Sequence, residues 1–251
     1  MSECYWKRTK RYALARLIMK ISLVIPVYNE SKIISNTILS ANEYLSSTFY
    51  DYELIIVNDG SKDNTADIIE KHKNEHIRHV SYEQNRGKGH AVRTGMLSAS
   101  GDFVFFTDAD LAYGLEIIGQ AVELFDTDTD VIVGARNLAK DSYSQYPALR
   151  RAASKVFSVL TRCMSGMAYD TQCGFKGWRR EASDRVFSKC NTDGYTFDFE
   201  ALMIAEKLGM KIRQIPAVII NHNSSKVRVF HDGALMLRSI IKIRRAVSAR
   251  F

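Results

Sequence analysis

A chain of 251 residues, 46% apolar and 25% charged, can bury a full core and falls outside the disordered and fibrous classes. Its formal net charge of +7 asks for an acidic partner: nucleotide phosphates, nucleic acid or an anionic membrane surface. No apolar run approaches the roughly 20 residues that span a bilayer. Lys7, Arg8, Lys10, Arg11, Arg16 and Lys20 interrupt any signal-peptide core, so cytoplasmic residence is expected. Cys4, Cys163, Cys173 and Cys190 have neither metal-site spacing nor a disulfide framework, and read as buried or incidental thiols.

In chain order, runs rich in β-branched and aromatic residues predict strands at 21–27, 53–57, 77–82, 102–107 and 131–135. Helical periodicity lies between them, near 32–45, 65–72, 88–99 and 115–124, with Asp63 and Asn64 placed to cap the second helix. Such alternation predicts an α/β fold with a mostly parallel, Rossmann-like sheet and helices on both faces. The second half reads differently. An amphipathic helix over 149–164 carries Arg150, Arg151, Lys155 and Arg162, and a glycine-containing segment follows at 170–177. Helices near 181–188 and 199–208, a strand at 211–220 and a last helix from about Asp232 complete the chain. There is no internal repeat or linker, so one domain with an elaborated C-terminal half is expected.

The strand ends carry the chemistry, because open α/β sheets bind ligands outside the carboxyl ends of their strands. The first ends in Pro26-Val27-Tyr28-Asn29-Glu30. Proline cannot donate to a ladder and marks the exit, leaving an aromatic face and polar groups suited to a base and ribose, or an ordinary turn beside a helix cap. The second ends in Asn58-Asp59-Gly60-Ser61, where Asp59 can accept from a base N–H and Gly60 lets the backbone bend around a ligand. After the third come Asn85-Arg86-Gly87-Lys88-Gly89, small glycines and two cations at a helix N-terminus, a combination that favours phosphate. A dinucleotide fingerprint is excluded: Val92 stands where its third glycine belongs, and the first strand–helix turn carries Pro-Val-Tyr-Asn-Glu instead. The fourth ends in Thr107-Asp108-Ala109-Asp110, two carboxylates that can share one small divalent cation. Hard oxygen ligands suit Mg²⁺ or Mn²⁺, whose other ligands commonly come from water and substrate phosphates.

These motifs, followed by Gly134-Ala135-Arg136 and Asp170-Thr171-Gln172-Cys173-Gly174-Phe175-Lys176, occur in an order that resembles family 2 glycosyltransferases of the GT-A fold. The chain looks closest to the dolichyl/polyprenyl-phosphate sugar transferases, and nearest their glucosyl branch through the 170–176 segment. The resemblance covers residues 20 to 245. It implies a nucleotide half over 21–135 and an acceptor half over 136–230, flanked by basic amphipathic segments at 1–20 and 231–251. It implies donor contacts from Pro26, Val27, Tyr28, Glu30, Asp59, Gly60, Arg86, Lys88, Asp108 and Ala109, with Asp110 on the metal beside Asp108. It also implies a non-processive enzyme, since the Gln-x-x-Arg-Trp signature is absent and Gly177-Trp178-Arg179-Arg180 does not supply it. Ala112 departs from relatives that carry a polar, metal-assisting residue there, leaving that position to water or a donor oxygen.

The chemistry expected is metal-assisted, inverting transfer of one hexose from a nucleotide diphosphate sugar such as UDP-glucose to a polyprenyl phosphate. Arg136 is the first choice for a phosphate clamp, because a guanidinium matches phosphate bidentately; the alternative is a surface ion pair. A phosphate acceptor needs cations rather than a base, and Lys226 joins the catalytic set while Arg150, Arg151, Lys176 and Arg228 serve the acceptor side. A hydroxyl acceptor would need a base, for which Asp170 is the candidate, its role left open. Gln172, Asp198 and Glu200 are further acceptor-side candidates, though helix capping explains Asp198 about as well. The segment 6–20 and the helix after residue 232, where Leu235, Leu237, Ile240, Ile241 and Ile243 alternate with Arg238, Lys242, Arg244 and Arg245, suit a peripheral membrane contact on the inner face or plain packing on the domain. Nucleic acid is not an expected partner, because the cations gather at the phosphate site and the termini. A hydroxyl-directed transferase and a non-catalytic nucleotide-sugar binding module remain as alternatives.

Overall fold

The first strand, β1 (Lys20–Val27), is buried along nearly its whole length because both faces of the sheet are covered. Leu23 and Ile25 enter one apolar cluster and Val24 the other, the two-residue alternation of a strand sandwiched between helices. The computed structural model describes residues 19–125, 128–139, 166–220 and 229–251. Strands β2 (Asp51–Asp59), β3 (Ile77–Tyr82), β4 (Phe103–Phe106), β5 (Val131–Ala135), β6 (Lys176–Arg179) and β7 (Ile212–Pro216) join β1 in one sheet of order β3-β2-β1-β4-β6-β5-β7. β6 alone among them runs antiparallel, pairing Phe106 with Lys176 on one side and Val133 with Lys176 on the other.

One face is covered by α1 (Ile34–Thr48), α2 (Thr65–His72) and α4 (Glu116–Leu124), through Ile34, Ile38, Leu45, Ile69 and Ile118. On the other lie α3 (Lys88–Ser98), α5 (Arg180–Phe187), α6 (Phe197–Lys207) and α7 (Val229–Ser248), through Val92, Met96, Val186, Leu202, Ile240 and Val247. Each large apolar side chain so buried contributes about 1.5–3 kcal/mol.

At the sheet edge away from the strand exits, Glu53 ties three segments together. Ser22 donates its hydroxyl at 2.6 Å, Ser100 its N–H at 2.6 Å, and Arg78 a guanidinium N–H at 2.9 Å. Burial opposes its charge, but Ser22, Arg78 and Ser100 outweigh it and hold the carboxyl at about 2.

The expected alternation holds through β5, with shifted ends. Helix α1 begins at Ile34 rather than Lys32, because Asn29 takes a left-handed φ of 53° and the Ile33 N–H closes a turn on Glu30. The strand expected over 211–220 is shorter, ending at Pro216. The glycine-containing segment at 170–177 runs into β6, sharing Lys176 and Gly177 with it. Cys173 and Cys190 are buried free thiols; the helix expected over 149–164, Cys4, Cys163 and nearly all of the N-terminal segment lie outside the described residues.

Candidate active site

The chain leaves β1 for β2 and β3 on one side and returns to β4 on the other, so the order reverses between β1 and β4. A crevice opens at such a reversal, outside the carboxyl ends of the strands. Pro26 stands at this point without cost. Val24 accepts the Thr107 N–H on the β4 side, and Pro26, facing the same way two residues on, lies past the last β4 pair. Tyr28 follows, 39% exposed at the mouth of the crevice. Asn29 and Glu30 are stitched to the second exit: the Asn29 N–H donates to Ser61 Oγ at 2.9 Å, the Lys62 N–H to Asn29 Oδ1 at 2.8 Å, and the Glu30 N–H to Thr65 Oγ1 at 2.9 Å.

Asp59, expected to face a base, is held by its own chain. It accepts the Arg86 N–H at 2.8 Å, the Gly87 N–H at 3.0 Å and the Asn85 amide at 3.0 Å. The close approach at Gly60 (φ +66°) is likewise internal, since a Cβ there would meet the Gln84–Asn85 backbone at 2.6 Å. The expected phosphate cradle at α3 is also closed. The Gly89 and His90 N–H groups donate to the Asp193 carbonyl at 2.7 and 3.3 Å, and a Cβ on Gly89 would strike Thr192 O at 2.4 Å. Arg93 fastens the same loop through Asp193 Oδ1 at 2.7 Å. Of the cations flanking those glycines, Arg86 is exposed and Lys88 reaches towards β4, where it pairs with Asp108.

Asp108 and Asp110 sit where β4 ends. Lys88 Nζ meets Asp108 Oδ1 at 2.5 Å, and Asp110 Oδ1 accepts the Ala112 N–H at 3.1 Å. Burial raises the Asp110 pKa, and the neighbouring Asp108 charge raises it further. Burial alone would lower the Lys88 ammonium, but Asp108 and Asp198 reverse this and its pKa lies above the usual value. Val27 and Ala109 turn their side chains into the core, and the Ala109 carbonyl already accepts the Thr37 hydroxyl at 2.7 Å. Two crowded carboxylates fit a small divalent cation, which relieves their mutual repulsion. Among the described residues no group of three or more His, Cys, Asp or Glu could hold one alone, so the remaining ligands would come from phosphate and water.

The segment after Asp170 crosses this same edge before entering β6, a placement that the antiparallel strand makes possible. Arg136, just past β5, grips Asp170 instead of standing free as a phosphate clamp. Its Nε donates to Oδ2 and its Nη2 to Oδ1, both at 2.8 Å, and its own N–H donates to Oδ2 at 3.1 Å. The pair is largely enclosed, so it is not the surface pair considered as the alternative. Burial would raise the Asp170 pKa, but Arg136 overcomes this and holds it below the usual carboxylate range, which disfavours the base that a hydroxyl acceptor would need. Gln172 donates its N–H to Asp170 Oδ1 at 3.2 Å, while its buried Nε2 has no partner among the described residues.

Lys176 is not an open acceptor cation. It is fully buried, 3.0 Å from Asp198 Oδ1, and donates to the Cys173 carbonyl at 2.6 Å. Thr196, not Asp198, is the N-cap residue of α6; burial raises the Asp198 carboxyl to about 6, moderated by Lys176 and Lys88. Glu200, also buried, accepts the Asn191 and Thr192 N–H groups at 2.9 and 2.7 Å and so holds the loop before α6 rather than an acceptor. Gly174, quoted in the 170–176 motif without a role, has its Cα so close to Asp108 that a Cβ would meet Oδ2 at 2.1 Å, and Asp193 was not singled out. Nothing in the local pattern marks either. Arg150, Arg151, Lys226 and Arg228 lie outside the described residues.

A family model described as glycosyl transferase family 2 matches residues 22–187. The chain is 31% identical over 241 residues to a dolichyl-phosphate beta-glucosyltransferase of Dictyostelium discoideum, spanning 89% of this chain and 73% of that protein. It is 30% identical over 243 residues to the Homo sapiens protein of the same name, spanning 90% and 75%. Glucosyl-3-phosphoglycerate synthase from Mycobacterium tuberculosis, crystallised with UDP, is similar at a TM-score of 0.65 and 19% identity, covering 95% of this chain and 83% of that one. The same synthase was also crystallised with Mn²⁺, UDP and glucosyl-3-phosphoglycerate. At that identity the likeness establishes the fold, the GT-A type of α/β arrangement.

Proposed function

The chain belongs to glycosyl transferase family 2 and is a glycosyltransferase; we propose that it moves one glucose from UDP-glucose, or a closely similar donor, onto a dolichyl or polyprenyl phosphate with inversion at the anomeric carbon. The names of its relatives support the sugar and the acceptor. The observation that carries the reading is the Arg136–Asp170 lock opposite the Asp108/Asp110 pair. A carboxylate saturated by a guanidinium is a poor proton acceptor, whereas a phosphate monoester, with a second pKa of about 6, needs none.

In this reading an acceptor phosphate oxygen forms the bond to the sugar C1 as the bond from C1 to the donor diphosphate breaks, its electron pair leaving with UDP. Asp110 and Asp108 would hold Mg²⁺ or Mn²⁺, which when bound neutralises charge developing on the departing diphosphate. Lys88 and Arg86 supply fixed positive charge on the β3 side of the crevice. Tyr28 offers an aromatic face for the base, and Glu30 lies beside it on the same exit. The Asp170–Arg136 pair shapes the acceptor side without exchanging a proton.

No helix among the described residues is long and apolar enough to cross a membrane. The placement proposed is peripheral, on the cytoplasmic face. Helix α7 supports it: Ile240, Ile243 and Val247 are buried while Arg238, Lys242, Arg244 and Arg245 are exposed, with Ile241 among them. The direct test is UDP release from UDP-glucose. It should require both polyprenyl phosphate and Mg²⁺ or Mn²⁺, and release that depends instead on a soluble hydroxyl acceptor refutes the proposed acceptor.

A further inference from the structure

We infer that the buried Lys176–Asp198 pair is a positioning device for Asp108, seating the 171–174 segment against that carboxylate and so preorganising the divalent-cation site. The inference rests on the reading of Asp108 and Asp110 as metal ligands. Lys176 is fully buried and directs its ammonium to three oxygens: Asp198 Oδ1 at 3.0 Å, the Cys173 carbonyl at 2.6 Å and the Thr171 carbonyl at 3.4 Å. It therefore reaches no substrate, and the face of the Phe106 ring, 5.4 Å from Nζ, closes another side. Its backbone is fixed in β6 between Phe106 and Val133. An ammonium anchored there and bonded to the carbonyls of residues 171 and 173 fixes the course of the segment between them and β6.

Gly174 lies on that segment, and its Cα abuts Asp108 Oδ2. The other oxygen of Asp108 meets Lys88 Nζ at 2.5 Å. Lys88 feels the negative charge of Asp198 as well as that of Asp108. The Lys176–Asp198 pair thus shapes the strand segment against one oxygen of Asp108, while Lys88 holds the second oxygen. The charges alternate along Asp108, Lys88, Asp198 and Lys176. Buried ion pairs contribute little to stability relative to apolar replacements, so a pair retained so near a ligand carboxylate points to geometry. Groups outside the ligand set that orient a ligand typically change metal affinity 10- to 100-fold when removed.

The test is Mn²⁺ affinity of the full chain with saturating UDP, read by electron paramagnetic resonance, with thermal unfolding measured in parallel. The double variant Lys176→Met/Asp198→Leu replaces the pair by apolar groups of similar size. It should unfold within a few degrees of the unmodified protein yet bind Mn²⁺ about 10-fold or more weakly. Gly174→Ala leaves the pair intact and displaces Asp108 directly; it should weaken Mn²⁺ by a similar factor. A folded double variant with unchanged Mn²⁺ affinity overturns the inference, as does unchanged affinity in Gly174→Ala should the double variant not fold. If the unmodified protein binds no Mn²⁺ in the presence of UDP, it is the reading of the metal site itself that fails.

Discussion

Arg136 and Asp170 lock onto each other through two parallel bonds of 2.8 Å, Nε to Oδ2 and Nη2 to Oδ1, across 34 residues of sequence. This geometry makes Asp170 the enclosed counter-ion of Arg136. Asp170→Asn removes the charge and leaves Arg136 enclosed without its counter-ion, at a cost of about 3 kcal/mol in unfolding free energy. Turnover with a polyprenyl phosphate acceptor, measured below the lowered melting temperature, should fall less than about 10-fold, where loss of a general base removes 10²–10⁴. A near-total loss in a folded variant identifies Asp170 as a base and the acceptor as a hydroxyl.

Asp110→Asn should abolish the dependence of UDP binding on Mn²⁺, and lower kcat/KM by at least about 10²-fold, some 2.7 kcal/mol. Calorimetric titration with UDP, with and without Mn²⁺, separates lost metal binding from lost folding. Retained Mn²⁺ dependence in this variant removes Asp110 from the ligand set.

Glu53 predicts the acid limb of stability. Its pKa is lowered in the folded protein to about 2, so its contribution is fully present above the unfolded carboxyl value of 4.5 and is lost as pH falls towards 2. The shift corresponds to about 2–3 kcal/mol after allowing for the half-exposed Arg78 partner. Urea unfolding of Glu53→Gln should show a lower midpoint at pH 7, and a difference from the unmodified protein that shrinks between pH 5 and pH 2. A difference independent of pH contradicts the assignment.

Arg244 and Arg245 lie exposed on α7, in a stretch whose buried side is Ile240, Ile243 and Val247. With about 1 kcal/mol per basic residue near an anionic surface, Arg244→Glu/Arg245→Glu should weaken binding to phosphatidylserine vesicles more than 25-fold at physiological salt. Cosedimentation gives the value, and binding unaffected by these reversals takes α7 out of the membrane contact.

Much of the fold was legible from the chain because β1, β2 and β5 carry short apolar runs, Leu23–Ile25, Leu54–Val57 and Val131–Val133, that are buried on both faces of the sheet. β6 was not. Four residues including Gly177 carry no period, and its place follows from register with Phe106 and Val133 rather than from its own composition. The carboxylates at the end of β4 were legible for a similar reason, since strand ends define the crevice. The partners of Asp59, Arg136, Lys176 and Glu200 were not, because charge type does not reveal a partner many residues away. Each of these groups is paired internally, with the 85–87 loop, Asp170, Asp198 and the Asn191–Thr192 backbone respectively.

With Asp170 paired to Arg136 rather than free as a base, the proposed nucleophile is a lipid phosphate. The most direct test is the mass of the product formed from UDP-glucose and a polyprenyl phosphate with Mn²⁺. The account predicts a lipid heavier by one hexose residue, joined through the phosphate and released by mild acid as free sugar. Sugar appearing only on a hydroxyl of an added glycan or peptide, with the polyprenyl phosphate untouched, would contradict it.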